Sequence, residues 1–260
     1  EIHDLWPLSP MLLGGYSKYH PFIVALQVAE NYAYKHCDKC ISILPNVRAH
    51  VLKHGLAINK LYIVPNGFDE EEWRKGIELL PEMQNFFYNL KRENKQILGY
   101  IGGHALSNAL DVLIDAMKEI VKENDNILCL IVGGGPYLDE LKELVKDDQI
   151  EKYIIFTGPK PSQEVPSYYH LSNVFVSASV TETQGLTYIE AMASGIPAVA
   201  RYDQNLENVI IDGVNGYFFK ETNELVSILL NMMNSDCSNM AREAYLHAMK
   251  FSSEVFYEKV

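Results

Sequence analysis

Residues 97–136 read ILGYIGGHALSNALDVLIDAMKEIVKENDNILCLIVGGGP. Two nearly continuous apolar runs, ILGYI and ILCLIV, flank a segment that carries Leu110, Leu113, Ile114, Met117, Ile120 and Val121 at helical spacing. Each run gives way to glycines, Gly102–Gly103 and Gly133–Gly134–Gly135. A strand without polar alternation is buried on both faces, and a helical crossover between two such strands makes them parallel. The stretch therefore predicts a β-α-β unit of a parallel sheet covered by helices on both sides.

The alternation continues downstream. A helical pattern with Leu138, Leu141 and Val145 follows, then the strand YIIF, the turn TGPKP, and a short helix near 163–171. VFVSA, a further helix, PAVA, DGVNG and YFF lead into two closing helices. Residues 93–251 are thus expected to form a doubly wound α/β domain. Upstream, HPFIVALQVAENYAYKH (20–36) predicts a helix with Phe22, Ala25, Leu26, Ala29, Tyr32 and Ala33 on its apolar face. CISIL and KLYIV read as short strands, and PNGF at 65–68 as a turn. The charged, irregular stretch after it reads as a linker with some helix. The expected division is 1–66, a linker at 67–92, and 93–260.

Composition narrows the function. The chain has 260 residues, 48% of them hydrophobic, and a net charge of −12. No Lys/Arg block tracks a phosphate backbone, which argues against a nucleic-acid partner. No apolar run approaches the roughly 18 residues of a membrane span, and no leader pattern is visible. A cytoplasmic setting is expected, and a start at Glu1 reads as a fragment or trimmed end. Cys37 and Cys40 form CDKC, a redox or zinc spacing. A zinc site needs four ligands, and a second ligand pair is not expected. Cys40 opens CISIL and Cys129 lies inside ILCLIV, so both read as core thiols, and no metal is expected.

In open parallel sheets ligands bind beyond the carboxyl ends of the strands. Three such ends carry glycine: Gly102–Gly103, Gly133–Gly135 and Gly185. Glycine lets backbone amides approach a phosphate, although tight strand–helix turns need it too. The third end lies in TETQGLTYIEAMASG, 181–195, where Glu182 and Glu190 are separated by seven residues. A helix from near Leu186 to near Ser194 would turn Leu186, Ile189 and Ala193 to the sheet. Glu190 would lean back toward the amides of Leu186 and Thr187. A carboxylate there suits the hydroxyls of a ribose beside a phosphate, and Glu182 would meet a second polyol. Spacing alone serves equally well for a solvated loop acid and a first-turns acid favoured by the helix dipole.

ETQGLTYIEAMASGIPAVA resembles the E-x7-E region of the retaining, GT-B-fold glycosyltransferases of group 1, or family 4, which use nucleotide-sugars. IVPNGFD, LIVGGGPYLDEL, FTGPKPSQEVPSYYHLSNVFVSAS and IDGVNGYFF resemble the same family in order and spacing, and EIHDLWP is similar to its bacterial polysaccharide-assembly branch. The resemblance implies an α/β chain of GT-B type. A complete C-terminal doubly wound, Rossmann-like, donor-binding domain would follow the last part of an N-terminal, acceptor-side Rossmann-like domain.

The resemblance also implies roles. Glu190 would bind donor ribose, Glu182 the donor sugar, and the Gly185–Leu186–Thr187 backbone the diphosphate. Gly158 to Lys160 would border the base, and His3 would be the active-site histidine. Many members carry an Arg and a Lys where Gly103 and Asn108 stand here; His104 and Asn108 would donate instead, with His104 protonated or the helix end supplying part of the charge. The implied reaction is sugar transfer from a UDP- or GDP-sugar to a glycan or lipid-linked acceptor, with retention and without a cofactor. It would serve capsule, cell-surface polysaccharide or lipopolysaccharide synthesis, with peripheral membrane association in the full-length protein. The alternative is a non-catalytic nucleotide-sugar-binding module. A dehydrogenase would want G-x-G-x-x-G after the first strand, which GGHALSN lacks.

Overall fold

The computed structural model describes residues 1–75 and 81–259. The chain divides into two compact units, Glu1–Asn66 with Phe256–Val260, and Gly67–Val255.

The first unit contains α1 (Leu8–Gly14), α2 (Pro21–His36), β1 (Cys40–Ser42), α3 (Arg48–Lys53) and β2 (Leu61–Ile63). β1 and β2 pair in parallel, and Ile2 bridges to Ser42. Pro21 at the first helical position, with the His20 ring accepting from the Phe22 amide, fixes the start of α2. Ile2, Tyr34, Cys40, Ile43, Leu44, Val47, Val51 and Leu56 form the core of this unit.

The expected apolar face of α2 is not the one turned inward. Phe22, Ala25, Ala29, Tyr32 and Ala33 are exposed, Leu26 is half-buried, and Ile23 and Tyr34 are buried. Gln27, Glu30 and Asn31 lie half-buried on the same side as Ile23 and Tyr34. The helix therefore presents a polar row inward, where α3 supplies partners described below.

The second unit begins with α4 (Glu70–Lys75) and α5 (Pro81–Arg92) and continues as a six-stranded sheet. Its strands are β3 (Gln96–Ile101), β4 (Ile127–Val132), β5 (Ile154–Gly158), β6 (Val174–Ser177), β7 (Ala198–Arg201) and β8 (Gly216–Phe219). The helices are α6 (Leu110–Glu123), α7 (Leu138–Asp147), α8 (Val165–Leu171), α9 (Leu186–Ala193), α10 (Thr222–Met233), α11 (Ser238–Ala248) and α12 (Ser253–Lys259), the last divided between the units. All pairings are parallel, in the order β5-β4-β3-β6-β7-β8.

Strand residues alternate between two cores. Leu98, Tyr100, Cys129, Ile131, Val174, Val176 and Val199 pack with α6 and α10 residues on one face. Ile97, Ile101, Leu128, Leu130, Phe175, Ala198 and Ala200 pack with α8, α9 and α11 residues on the other. That period of two, with apolar residues at both phases, is why the strands read as unbroken apolar runs. Cys129 is fully buried in β4 and Cys40 is buried in β1, and burial pushes both thiols up, Cys129 to about 12.

The stretch expected as a linker is packed. Phe68 and Leu90 are buried in the α8–α9–α11 core, with Trp73 and Phe86 against it. Phe68 also donates its amide to Phe251 O at 3.1 Å, and the Trp73 indole to Ser194 Oγ at 3.0 Å. Four large apolar side chains in a charged sequence suffice to dock 67–75 and 81–92 onto the second unit. Residues 76–80 of that stretch lie outside the described residues.

Candidate functional site

Strand order reverses at the centre of the sheet. β4 and β5 lie on one side of β3, and β6, β7 and β8 on the other. The βα loops after β3 and β6 therefore leave in opposite directions and open a crevice at their carboxyl ends. The loop after β3 holds Gly102, Gly103 and His104; the loop after β6 holds Ser179 to Glu182 and runs to Gly185 and α9.

Gly185 is the residue before α9 and has φ 76°, and a Cβ there would lie 2.3 Å from Leu206 Cδ2. Only glycine turns the chain this sharply so close to a neighbour. The Gly185 carbonyl accepts from Tyr188 and Ile189 amides at 3.1 and 3.2 Å. The amides of Leu186 and Thr187 precede these bonds and have no carbonyl one turn back, and no side chain caps this end. They point out of a helix terminus that attracts negative charge.

The two acids flank that terminus. Glu190 is half-buried, and Oε2 accepts from the Tyr169 hydroxyl at 3.0 Å. Tyr169 also reaches Thr187 O at 3.1 Å, which ties the carboxylate to the first turn of α9. Burial raises the Glu190 carboxyl to about 7, against a lowering by Tyr169. Glu182 is half-buried and accepts from the Tyr188 hydroxyl at 3.3 Å. Burial raises it to about 7 as well, opposed by hydrogen bonds from Ser179 and Tyr188 and reinforced by Asp203. Its backbone is held on both sides, the amide by Asp203 Oδ2 at 3.3 Å and the carbonyl by Asn205 Nδ2 at 2.8 Å. Glu190 and Leu186 share the wall of a cavity of about 250 Å³ with Phe68, Asp69, Trp73 and Gln163.

The pair is costly for an empty protein to ionise and useful beside hydroxyl donors. A ligand whose anionic centre meets the amides while its hydroxyls meet the carboxylates would pair with both kinds of group.

Several expectations need correction. Leu186 does not face the sheet; it is 37% exposed and lines the cavity, while Tyr188, Ile189, Ala191, Met192 and Ala193 are buried. His104 is 1% exposed, and burial lowers its pKa, which favours the neutral ring over the charged donor expected of it. Neither ring nitrogen has a protein partner among the described residues. The Asn108 carboxamide oxygen accepts from the Ala105 amide at 3.3 Å, so part of the side chain serves its own turn.

Two glycines of the second loop knit it to neighbouring loops. Gly133, with φ 131° and a Cβ position 1.9 Å from Gly102 O, donates its amide to Gly158 O at 3.1 Å. Gly134 O accepts from the His104 amide at 3.0 Å. Gly103 is exposed, and its carbonyl accepts from Tyr100 at 2.7 Å. Lys160 is half-buried, with Nζ 5.4 Å from the centre of the Tyr168 ring. His3 belongs to the first unit, is exposed, and has Nε2 3.3 Å from Glu1 Oε1.

Tyr169 and Tyr188 were not legible as site residues, because tyrosines in apolar runs read as core. Each is also core, fully buried with only its hydroxyl directed to an acid. Arg201, at the end of β7, donates Nε to Ala178 O at 3.1 Å and stacks on Phe219. The expectation of no further ligand pair overlooked His50 and His54, which have H-x-x-x-H spacing on and just after α3.

Residues 81–246 match the sequence profile of the family described as Glycosyl transferases group 1. Alpha-monoglucosyldiacylglycerol synthase of Acholeplasma laidlawii is 30% identical over 208 residues, 79% of this chain and 52% of that protein. Mannosylfructose-phosphate synthase of Agrobacterium fabrum is 29% identical over 197 residues, 71% of this chain and 42% of that one. The chain thus spans about half the length of these relatives. Anabaena HepE, solved in complex with UDP and glucose, superposes with a TM-score of 0.80 at 20% identity over 99% of this chain and 68% of that chain. At that identity the likeness is one of fold, α/β with parallel sheets of GT-B type.

Proposed function

Because the chain belongs to the glycosyl transferases group 1 family, we propose that its second unit binds a nucleotide-diphosphate-sugar and that the protein transfers the sugar to an acceptor hydroxyl. The observation that carries this reading is the α9 terminus: two outward amides set between two half-buried carboxylates at the switch point of the sheet. The Leu186 and Thr187 amides take the diphosphate. Glu190 accepts the ribose hydroxyls, and Glu182 a hydroxyl of the sugar. Gly158 and Lys160 border the base. His104 donates one N–H from its neutral ring, and Gly103 lets the phosphate come close. His3 keeps the role of active-site histidine that the family resemblance gives it.

UDP is the proposed nucleotide, on the strength of the HepE complex with UDP and glucose. A lipid or lipid-linked glycan is the proposed acceptor, in keeping with the glycolipid named for the Acholeplasma relative. Among the described residues no helix is long and apolar enough to cross a membrane. In the retaining reaction the bond from the anomeric carbon to the phosphate breaks. The acceptor oxygen bonds to the same face, and its proton passes to the departing phosphate. The protein supplies position and electrostatic stabilisation of that phosphate.

A melting panel with UDP, GDP, ADP, CMP and NAD tests the site. One nucleoside diphosphate at 100 times its Kd should add about 2.7 kcal/mol, or roughly 5–10 °C. A shift with NAD and none with a nucleoside diphosphate overturns the reading. Gly103 and Asn108, standing where many members carry Arg and Lys, favour the second reading of a non-catalytic binding module. That reading predicts nucleotide binding without transfer of radiolabelled sugar to a lipid-linked acceptor.

A further inference from the structure

The inward polar row of α2 meets the two histidines of α3. His50 Nε2 lies 2.7 Å from Glu30 Oε1, and His54 Nδ1 lies 3.9 Å from Glu30 Oε2. The rings are 4.5 Å apart between centroids. The Glu30 side chain is 8% exposed, and those of His50 and His54 are 17% and 15% exposed. One ligand atom from each of the three residues falls within 4.8 Å of the others.

The hydrogen bonds around His54 do not close. The Gln27 amide nitrogen lies 2.6 Å from Glu30 Oε2, 2.9 Å from Asn31 Oδ1 and 2.8 Å from His54 Nδ1. Asn31 Oδ1 is itself 2.9 Å from His54 Nδ1. If Nδ1 is bare, one amide with two protons faces three acceptors, and Nδ1 meets the Asn31 oxygen lone pair to lone pair. If Nδ1 carries the proton, it meets the Gln27 amide donor to donor. With the Gln27 and Asn31 amides oriented this way neither His54 tautomer satisfies all four contacts, and in the tautomer with Nδ1 bare one acceptor lone pair is left for another partner.

We propose that Glu30, His50 and His54 bind a divalent transition metal of the Zn²⁺ class, with a fourth coordination position left to water or another ligand. Two imidazoles and one carboxylate are a borderline ligand set that suits Zn²⁺, Co²⁺ or Ni²⁺ rather than Mg²⁺ or Ca²⁺. Ligand bonds of about 2.0–2.2 Å put tetrahedral ligands roughly 3.4 Å apart. The His50 and His54 nitrogens lie 2.7 and 3.9 Å from the two Glu30 oxygens, and one ligand atom from each residue lies within 4.8 Å of the others, so side-chain rotations that move these atoms by about 1–1.5 Å bring three of them to that spacing. A hydrogen bond between the Tyr34 hydroxyl and Glu30 would orient the carboxylate. The i, i+4 spacing of the histidines places both rings on one side of α3, facing Glu30 of α2. Metal would clamp these two helices of the first unit together.

The test uses the 260-residue chain without an affinity tag, stripped with chelator and titrated with Co²⁺. One equivalent should bind with the visible absorption of four-coordinate cobalt, and Zn²⁺ should displace it. His50→Ala and His54→Ala should each weaken binding by at least about tenfold, and Cys37→Ser with Cys40→Ser should leave it unchanged. Glu30→Gln keeps the size and neutral hydrogen bonding of the side chain, so it serves if a histidine variant fails to fold. Circular dichroism certifies its fold, and loss of cobalt binding in the folded protein is expected. Absence of stoichiometric binding overturns the proposal. So does binding at parental affinity in folded Glu30→Gln, His50→Ala or His54→Ala, or binding that is lost with the two cysteines.

Discussion

Glu190→Gln should make the ligand-free protein more stable at alkaline pH while weakening its hold on nucleotide. The parental carboxyl titrates at about 7 instead of the ordinary 4.5 because it is buried. Between those values the folded chain holds a proton that the unfolded chain has lost. Stability from this group is therefore full below about pH 4.5 and declines as pH climbs through 7. At about 1.4 kcal/mol per pH unit the ionised form costs up to roughly 3 kcal/mol. Part of the side chain still meets solvent, which cuts the cost to about 1–2 kcal/mol. Glutamine does not titrate and still offers an oxygen to Tyr169, so the variant escapes the decline. Melting at about pH 8 should rise by roughly 2–8 °C over the parent, and at about pH 4, below the unfolded pKa, the two should melt together. UDP at a fixed multiple of the parental Kd should stabilise the variant by about 1.5–3 kcal/mol less, the usual worth of hydrogen bonds to a charged group. A difference of the same size at both pH values, or a variant less stable at pH 8, refutes the assignment of a buried, raised carboxyl.

Gly185→Ala forces a side chain into φ 76° and against Leu206, at about 1–2 kcal/mol for the backbone alone; a melting loss of roughly 2–8 °C and weaker UDP binding by calorimetry are expected. Tyr169→Phe removes the donor to Glu190 and Thr187, so the Glu190 carboxyl should rise above about 7. Titration calorimetry from about pH 6 to about pH 9 should show UDP affinity recovering at a higher pH than in the parent; an unmoved midpoint counts against the tyrosine's role. Glu182→Ala should leave bare UDP affinity alone and weaken UDP-glucose, and equal losses for both ligands contradict the role given to Glu182.

Patterning carried the parallel sheet because it is a local record of burial. ILGYI and ILCLIV are apolar at both phases because both faces of β3 and β4 are covered. The glycine at 185 and the acids at 182 and 190 were legible for a similar reason: a turn with φ 76° admits one residue type, and charge next to it is conspicuous. The α2 face misled because spacing reports where apolar residues recur, not which side meets the rest of the fold. Its inward side holds Gln27, Glu30 and Asn31, whose burial depends on partners 20 to 27 residues away on and just after α3. The stretch 67–92 misled in the opposite sense. It is dense in charge and irregular in pattern, yet Phe68, Trp73, Phe86 and Leu90 dock it.

The sequence by itself determined the strand–helix alternation, the glycine turn at the head of α9, the acid pair around it and the family resemblance, all matters of nearest neighbours along the chain. Tertiary structure decided the protonation of those groups and the company they keep. Glu182 and Glu190 titrate near 7 and His104 favours its neutral ring because strands and helices distant in sequence remove water from around them. Tyr169 becomes part of the site because α8 lays its hydroxyl over the first turn of α9. Glu30, His50 and His54 converge because α2 and α3 pack in the first unit. Desolvation and convergence are sums over neighbours in space, and the order of residues along a chain does not contain them until the chain has folded.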